Sequence, residues 1–134
     1  MKNEDKELLI KDLCARLPYG VKYDIVLDDG TYGSGGVLYD DLKNGYFDIE
    51  DLHIVRPYLR PMSSMTEEER REAISLGISW AISGNKKIFD GFGNVGAEIQ
   101  IKGLDWLNAH HFDYRGLIPM GLALPAPDGM YKTE

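Results

Sequence analysis

Val21-Lys22-Tyr23-Asp24-Ile25-Val26-Leu27-Asp28-Asp29-Gly30-Thr31 is the stretch whose reading decides the fold class. Val21, Tyr23, Ile25 and Leu27 alternate with Lys22 and Asp24, the period-two pattern of a strand with one buried face. Asp28-Asp29-Gly30 supplies the positive-φ chemistry of a hairpin turn, so residues 31–39 form the returning strand. Gly33, Gly35 and Gly36 in that arm predict a bulge or strong curvature. A second turn at Lys43-Asn44-Gly45 leads to a short strand over Tyr46-Phe47-Asp48-Ile49. Strands that pair with their chain neighbours, without a βαβ rhythm, give a curved antiparallel sheet of about four to six strands. One form of it would be an SH3-like partial barrel over residues 20–60.

Working outward, the N-terminal side predicts a helix over about residues 4–17. Asn3 is its expected N-cap, Glu4 and Asp5 suit its positive end, and Pro18 stops it. Leu9, Ile10, Leu13, Cys14 and Leu17 make its apolar stripe, which places Cys14 in the core. On the C-terminal side, the prolines of Arg56-Pro57-Tyr58-Leu59-Arg60-Pro61 keep the chain extended. Thr66 and Glu69 form a capping box for a helix to about residue 76, with Gly77 terminating it. Residues 78–82 either extend that helix or begin a strand. Ala97-Glu98-Ile99-Gln100-Ile101 alternates like a strand, and a short helix should follow over residues 104–110. From Pro119 onward an irregular tail should lie over the surface. The fold class is therefore α+β: an N-terminal helix, a curved antiparallel sheet and two further short helices in a single domain of 134 residues.

Composition narrows the function classes. A chain this long can bury enough surface to fold without disulfide or metal, and its one cysteine cannot form an internal disulfide. No signal core or bilayer-length apolar run is present, so the sequence reads as a soluble cytoplasmic protein. The net charge is −7 and uneven: residues 1–51 carry 12 acidic and 6 basic side chains, whereas residues 52–134 carry 10 and 9. Such a surface disfavours nucleic acid, whose phosphates need clustered Lys and Arg, and could attract a basic partner.

Three motifs invite chemistry. Gly91-Phe92-Gly93-Asn94-Val95-Gly96 spells G-x-G-x-x-G, the loop that lets pyrophosphate approach a helix N-terminus. Its spelling resembles the nucleotide loop of some amino-acid dehydrogenases, with Asp113 near the distance of a ribose-binding acid. The strand-like pattern after it and the 38 residues remaining argue instead for a glycine-rich hairpin turn. Gly33-Ser34-Gly35-Gly36 lacks the Lys-Ser/Thr of a phosphate loop. His110, His111 and Asp113, with His53 from elsewhere, are zinc-type ligands. Neighbouring histidines on a helix point about 100° apart, which favours capping and packing; no metal or cofactor is implied. Arg115 is expected to pair with Asp113 or a C-terminal carbonyl. No G-x-S-x-G elbow occurs, and no histidine partners Cys14.

Part of the chain has a familiar wording. The runs Leu104-Asp105-Trp106-Leu107-Asn108-Ala109-His110-His111-Phe112-Asp113-Tyr114-Arg115-Gly116-Leu117-Ile118, Pro57-Tyr58-Leu59-Arg60-Pro61-Met62-Ser63-Ser64-Met65-Thr66-Glu67-Glu68-Glu69 and Asp12-Leu13-Cys14-Ala15-Arg16-Leu17-Pro18-Tyr19-Gly20-Val21-Lys22 resemble a family of short uncharacterised proteins from gut Bacteroides-type bacteria and their phages or mobile elements. The resemblance implies no activity. With no catalytic constellation, the expectation is a non-catalytic interaction or accessory protein with a protein partner. Trp106, Tyr114, Leu117, Ile118, Met120 and Leu122 are its candidate contact surface, because a large exposed apolar patch marks a partner. The alternatives are that this run covers the core, or that the protein is a small ligand-, nucleotide- or metal-binding domain or enzyme using Gly91, Gly93, Gly96 and His110, His111, Asp113.

Overall fold

The computed structural model describes residues 2–27, 29–46, 49–83, 86–93 and 95–131, with the backbone course alone for residues 49, 50, 80–83 and 86–90. It is an α+β fold. Among the described residues there are four α-helices: α1 (Asn3–Arg16), α2 (Leu38–Lys43), α3 (Glu67–Ser75) and α4 (Ala97–Ala109). The strands are β1 (Lys22–Val26), β2 (Tyr32–Val37), β3 (Val55–Leu59), β4 (Ile78–Ser83), β5 (Lys86–Phe92) and β6 (Leu124–Pro125). Among the described residues no helix is long and apolar enough to cross a membrane.

The hairpin forms as its alternation predicts. β1 pairs antiparallel with β2 on one side and β3 on the other. At its turn Gly30 has φ 84° and Asp29 accepts from the Thr31 N–H and hydroxyl; Asp28 lies outside the described residues. The expected bulge is present as a register shift between Lys22 and Asp24. Gly35 is required there, because a Cβ would collide with the Tyr23 carbonyl oxygen and ring.

Several expectations are corrected. The sheet is mixed and open, in order β2-β1-β3-β6, because β6 joins β3 in parallel; among the described residues its strands do not close into a barrel. The second arm of the hairpin ends at Val37, where α2 begins. Leu38 and Leu42 stand four residues apart, so a helix buries both on one face while Asp40 and Asp41 take its polar first turn. Gly45 (φ 78°) terminates α2, its N–H bonding Leu42 O while the Tyr46 N–H bonds Asp41 O. Of the strand expected over 46–49, residues 47 and 48 lie outside the described set, and Ile49 opens a 3-10 segment, Ile49–Ile54.

The α3 capping box forms with both bonds and Gly77 follows at φ 75°. Residues 78–83 then take the strand alternative as β4, paired antiparallel with β5. α4 starts at Ala97, overturning the strand expected over 97–101. The alternating Ile99 and Ile101 are both exposed, and the buried positions Gly103, Leu107 and Asn108 follow helical spacing. α1 buries Leu9, Asp12, Leu13 and Arg16, which turns Cys14 to the surface. Lys2, without a side-chain cap bond, takes the N-cap position expected of Asn3.

Two apolar clusters form the core. The larger joins α1, β1, α2 and β3 with Leu117, Leu122 and Ala123. The smaller joins α3, β4 and α4 with Met62, Phe112 and Tyr114.

Candidate functional site

The C-terminal candidates fold inward. α4 ends with His111 in the left-handed region (φ 61°), its N–H on Asn108 O and the Phe112 N–H on Leu107 O. This is the glycine-type helix stop executed by a histidine. Its ring is 4 % exposed and stacks on Tyr131 at 3.7 Å. Burial, aided by the positive fields of Arg16, His110, Arg60 and Lys22, pushes it down to about 3. His110 instead places Nδ1 2.9 Å from Trp106 O. Asp113 accepts from the Leu117 and Ile118 N–H groups, and burial raises its carboxyl above the usual range. The three candidate ligands thus face three different partners, and among the described residues no group of histidines, cysteines and carboxylates is arranged to hold a metal.

The proposed contact surface is also taken into the core. Tyr114, Leu117 and Leu122 are buried, Trp106 and Ile118 are half-buried, and Met120 is exposed. Trp106 packs in the smaller cluster and donates from its indole to Glu72. Residues 116–127 therefore cover the core, since a tail with five large apolar side chains buries more of them by packing than by standing free.

A polar network absent from the sequence reading stands behind this tail. Arg16, fully buried, donates to both carboxylate oxygens of Asp12 (2.8 and 3.1 Å) and to Phe112 O. Arg115 reaches the same Asp12 at 3.1 Å, correcting the expected pairing with Asp113. Tyr114 joins it, donating to Asn108. The network ties α1 to the end of α4 and is structural. Its sequence signal is the Asp–Arg spacing of four, which exposed helix faces share.

Gly91, Gly93 and Gly96 do lie between a strand and a helix. Gly91 is within β5, the Gly93 N–H bonds Gly77 O, and Gly96 is the N-cap of α4. The strand belongs to a two-stranded antiparallel hairpin, however, and Glu98 occupies the first turn of the helix. A carboxylate there opposes phosphate.

An open site does exist on the acidic half. A concavity of about 470 Å³ lies where β1 and β2 meet α2. The bulged backbone of Ser34, Gly35 and Gly36 lines one side, and Ile25 and Ile54 supply apolar contact. Its polar end is Asp41, whose Oδ2 accepts from the Tyr23 hydroxyl at 2.6 Å. Burial and that hydrogen bond hold the Tyr23 phenol above its usual range. Asp41 pairs with no cation among the described residues. Tyr46 stands beside it, 73 % exposed, placed by the α2 stop at Gly45. The sequence marked the glycines of this site as a bulge and passed over Tyr23, Asp41 and Tyr46 as a group; they come together only through the helix at 38–43. Comparison of the chain with protein-family models, with curated proteins and with solved structures finds no match.

Proposed function

We propose that this is a non-catalytic interaction protein of the cytoplasm whose acidic N-terminal half receives a basic protein partner. The observation that carries the reading is the concavity at Asp41: a carboxylate without a cation partner among the described residues, held by the buried Tyr23 hydroxyl beside the exposed Tyr46, in a segment of net charge −6 over residues 1–51. The residues most suited to catalysis or metal binding, His110, His111 and Asp113, are engaged in closing α4 and seating the tail. The resemblance of the runs at 12–22, 57–69 and 104–118 supports an origin in Bacteroides-type bacteria or their phages or mobile elements.

The test compares ligand classes on the full chain. Fluorescence anisotropy with basic and acidic peptides should give binding to the basic set that weakens with salt, because charge steers the encounter. A thermal-shift screen against nucleotides, dinucleotides and divalent metals should stay flat. A ligand at a hundred times its Kd stabilises by about 2.7 kcal/mol, so a rise of roughly 5–15 °C with any of these would replace the reading with a ligand-binding domain.

A further inference from the structure

We infer that the Asp41 concavity is a lysine-reading pocket, taking the ammonium group of one lysine side chain from a basic segment of a partner protein; this rests on the interaction reading above. The chemistry of the walls selects the occupant. Asp41 Oδ2 is already engaged by the Tyr23 hydroxyl, while Oδ1 accepts no hydrogen bond among the described residues. A single available carboxylate oxygen suits a compact point charge. A guanidinium is best matched by two parallel acceptors. The aliphatic stem of a lysine, four methylenes long, finds Ile25 and Ile54 along the wall. The face of an exposed tyrosine attracts a cation that approaches it, and Tyr46 is an exposed residue of the same lining.

The bulge makes the room. Gly35 and Gly36 bring backbone where side chains would otherwise fill the space: a Cβ on Gly36 would meet Asp41 Oδ2 at 3.2 Å. The acidic surroundings raise the local concentration of a basic segment without specifying it. The pocket provides the specificity.

Titration of the isotope-labelled full chain with acetyl-pentalysine amide, followed by amide chemical shifts, tests this. Shifts should centre on Gly35, Asp41 and Tyr46, and pentaarginine should bind more weakly at that site. Asp41→Asn keeps an acceptor for the Tyr23 hydroxyl and should fold, and it should weaken pentalysine by about fivefold, the upper range for an exposed ion pair. Tyr46→Ala alters an exposed ring and should weaken it about threefold. Pentalysine binding that disappears with salt and is equal in wild type and Asp41→Asn would overturn the pocket while leaving the basic-partner reading standing. No binding by any basic peptide would end both. Spermidine binding as tightly as pentalysine, or arginine matching lysine, would overturn the assignment to a lysine side chain of a protein.

Discussion

Replacing Asp12 with alanine should be among the most damaging single changes in this protein. The side chain is fully buried on α1 and holds two guanidinium groups, Arg16 at 2.8 Å and Arg115 at 3.1 Å. Arg115 can turn to water, being about one-fifth exposed, but Arg16 cannot. Its Nη1 already lacks a hydrogen-bond partner among the described residues, so the variant leaves a buried cation with the Phe112 carbonyl and the Tyr114 ring as its remaining partners. Breaking one side of a buried pair costs about 3–5 kcal/mol. For 134 residues, an unfolding entropy of about 2.1 cal/mol/K per residue converts each kcal/mol into about 3.5 °C, so Tm should fall by roughly 10–18 °C. Arg16→Met should cost less, because Asp12 keeps Arg115, and Arg115→Ala least. Asp12→Leu combined with Arg16→Met should recover part of the loss, since buried pairs can be replaced by apolar side chains at little net cost. Circular-dichroism melts at two salt concentrations provide the assay, and the ranking should persist in high salt because buried charges are weakly screened. A loss below about 4 °C for Asp12→Ala would refute the reasoning, as it would mean that Arg16 finds water once its carboxylate is gone.

Three further outcomes follow from named contacts. Gly35→Ala forces a Cβ against the Tyr23 backbone and ring and should cost about 1–3 kcal/mol, whereas Gly96→Ala, with nothing within 4 Å, should lose only the preference for glycine over alanine at the α4 N-cap, under about 1 kcal/mol; equal melting of the two variants would remove the close-approach argument. His111 is held near 3 when folded, against 6.5 as its reference, so its neutral form stabilises fully above pH 6.5 and that contribution is lost as pH falls toward 3. Burial raises Glu69, but its Arg60 pair and the Thr66 N–H lower it more strongly, to about 2, so its contribution is lost below pH 4.5. His111→Gln should therefore flatten the stability curve between pH 6.5 and 4.5; an unchanged slope in urea titrations would assign it elsewhere. Tyr131→Phe deletes a hydroxyl that accepts from the Lys22 N–H and donates to Tyr58 O, and should cost about 1–3 kcal/mol by leaving them unpaired; a melt unchanged within a degree would mean that the tail is not fastened there.

Local physics made much of this fold legible in the sequence. The alternation at 21–27 and the glycines after it determined a bulged hairpin. Thr66, Glu69 and Gly77 determined where α3 starts and stops, and Pro57 and Pro61 kept their segment extended. These signals act within a few residues, through backbone sterics and short hydrogen bonds, so they survive without tertiary context. The acidic bias of the first half was equally plain. What the sequence left ambiguous were segments whose pattern fits two periods. Residues 97–101 alternate like a strand, and Leu38 and Tyr39 read as the end of the returning hairpin arm, yet Leu38 and Leu42, and Gly103 and Leu107, find the core by helical spacing. Tertiary structure alone decided that Asp12 and Arg16 lie inside, because an i,i+4 ion pair looks the same on either face until something covers it. It also decided that the tail is core, through β6 and Tyr131. The site at Asp41 exists only by assembly: a bulge in one strand, the end of a six-residue helix and a tyrosine after its stop, whose proximity is a property of three-dimensional packing.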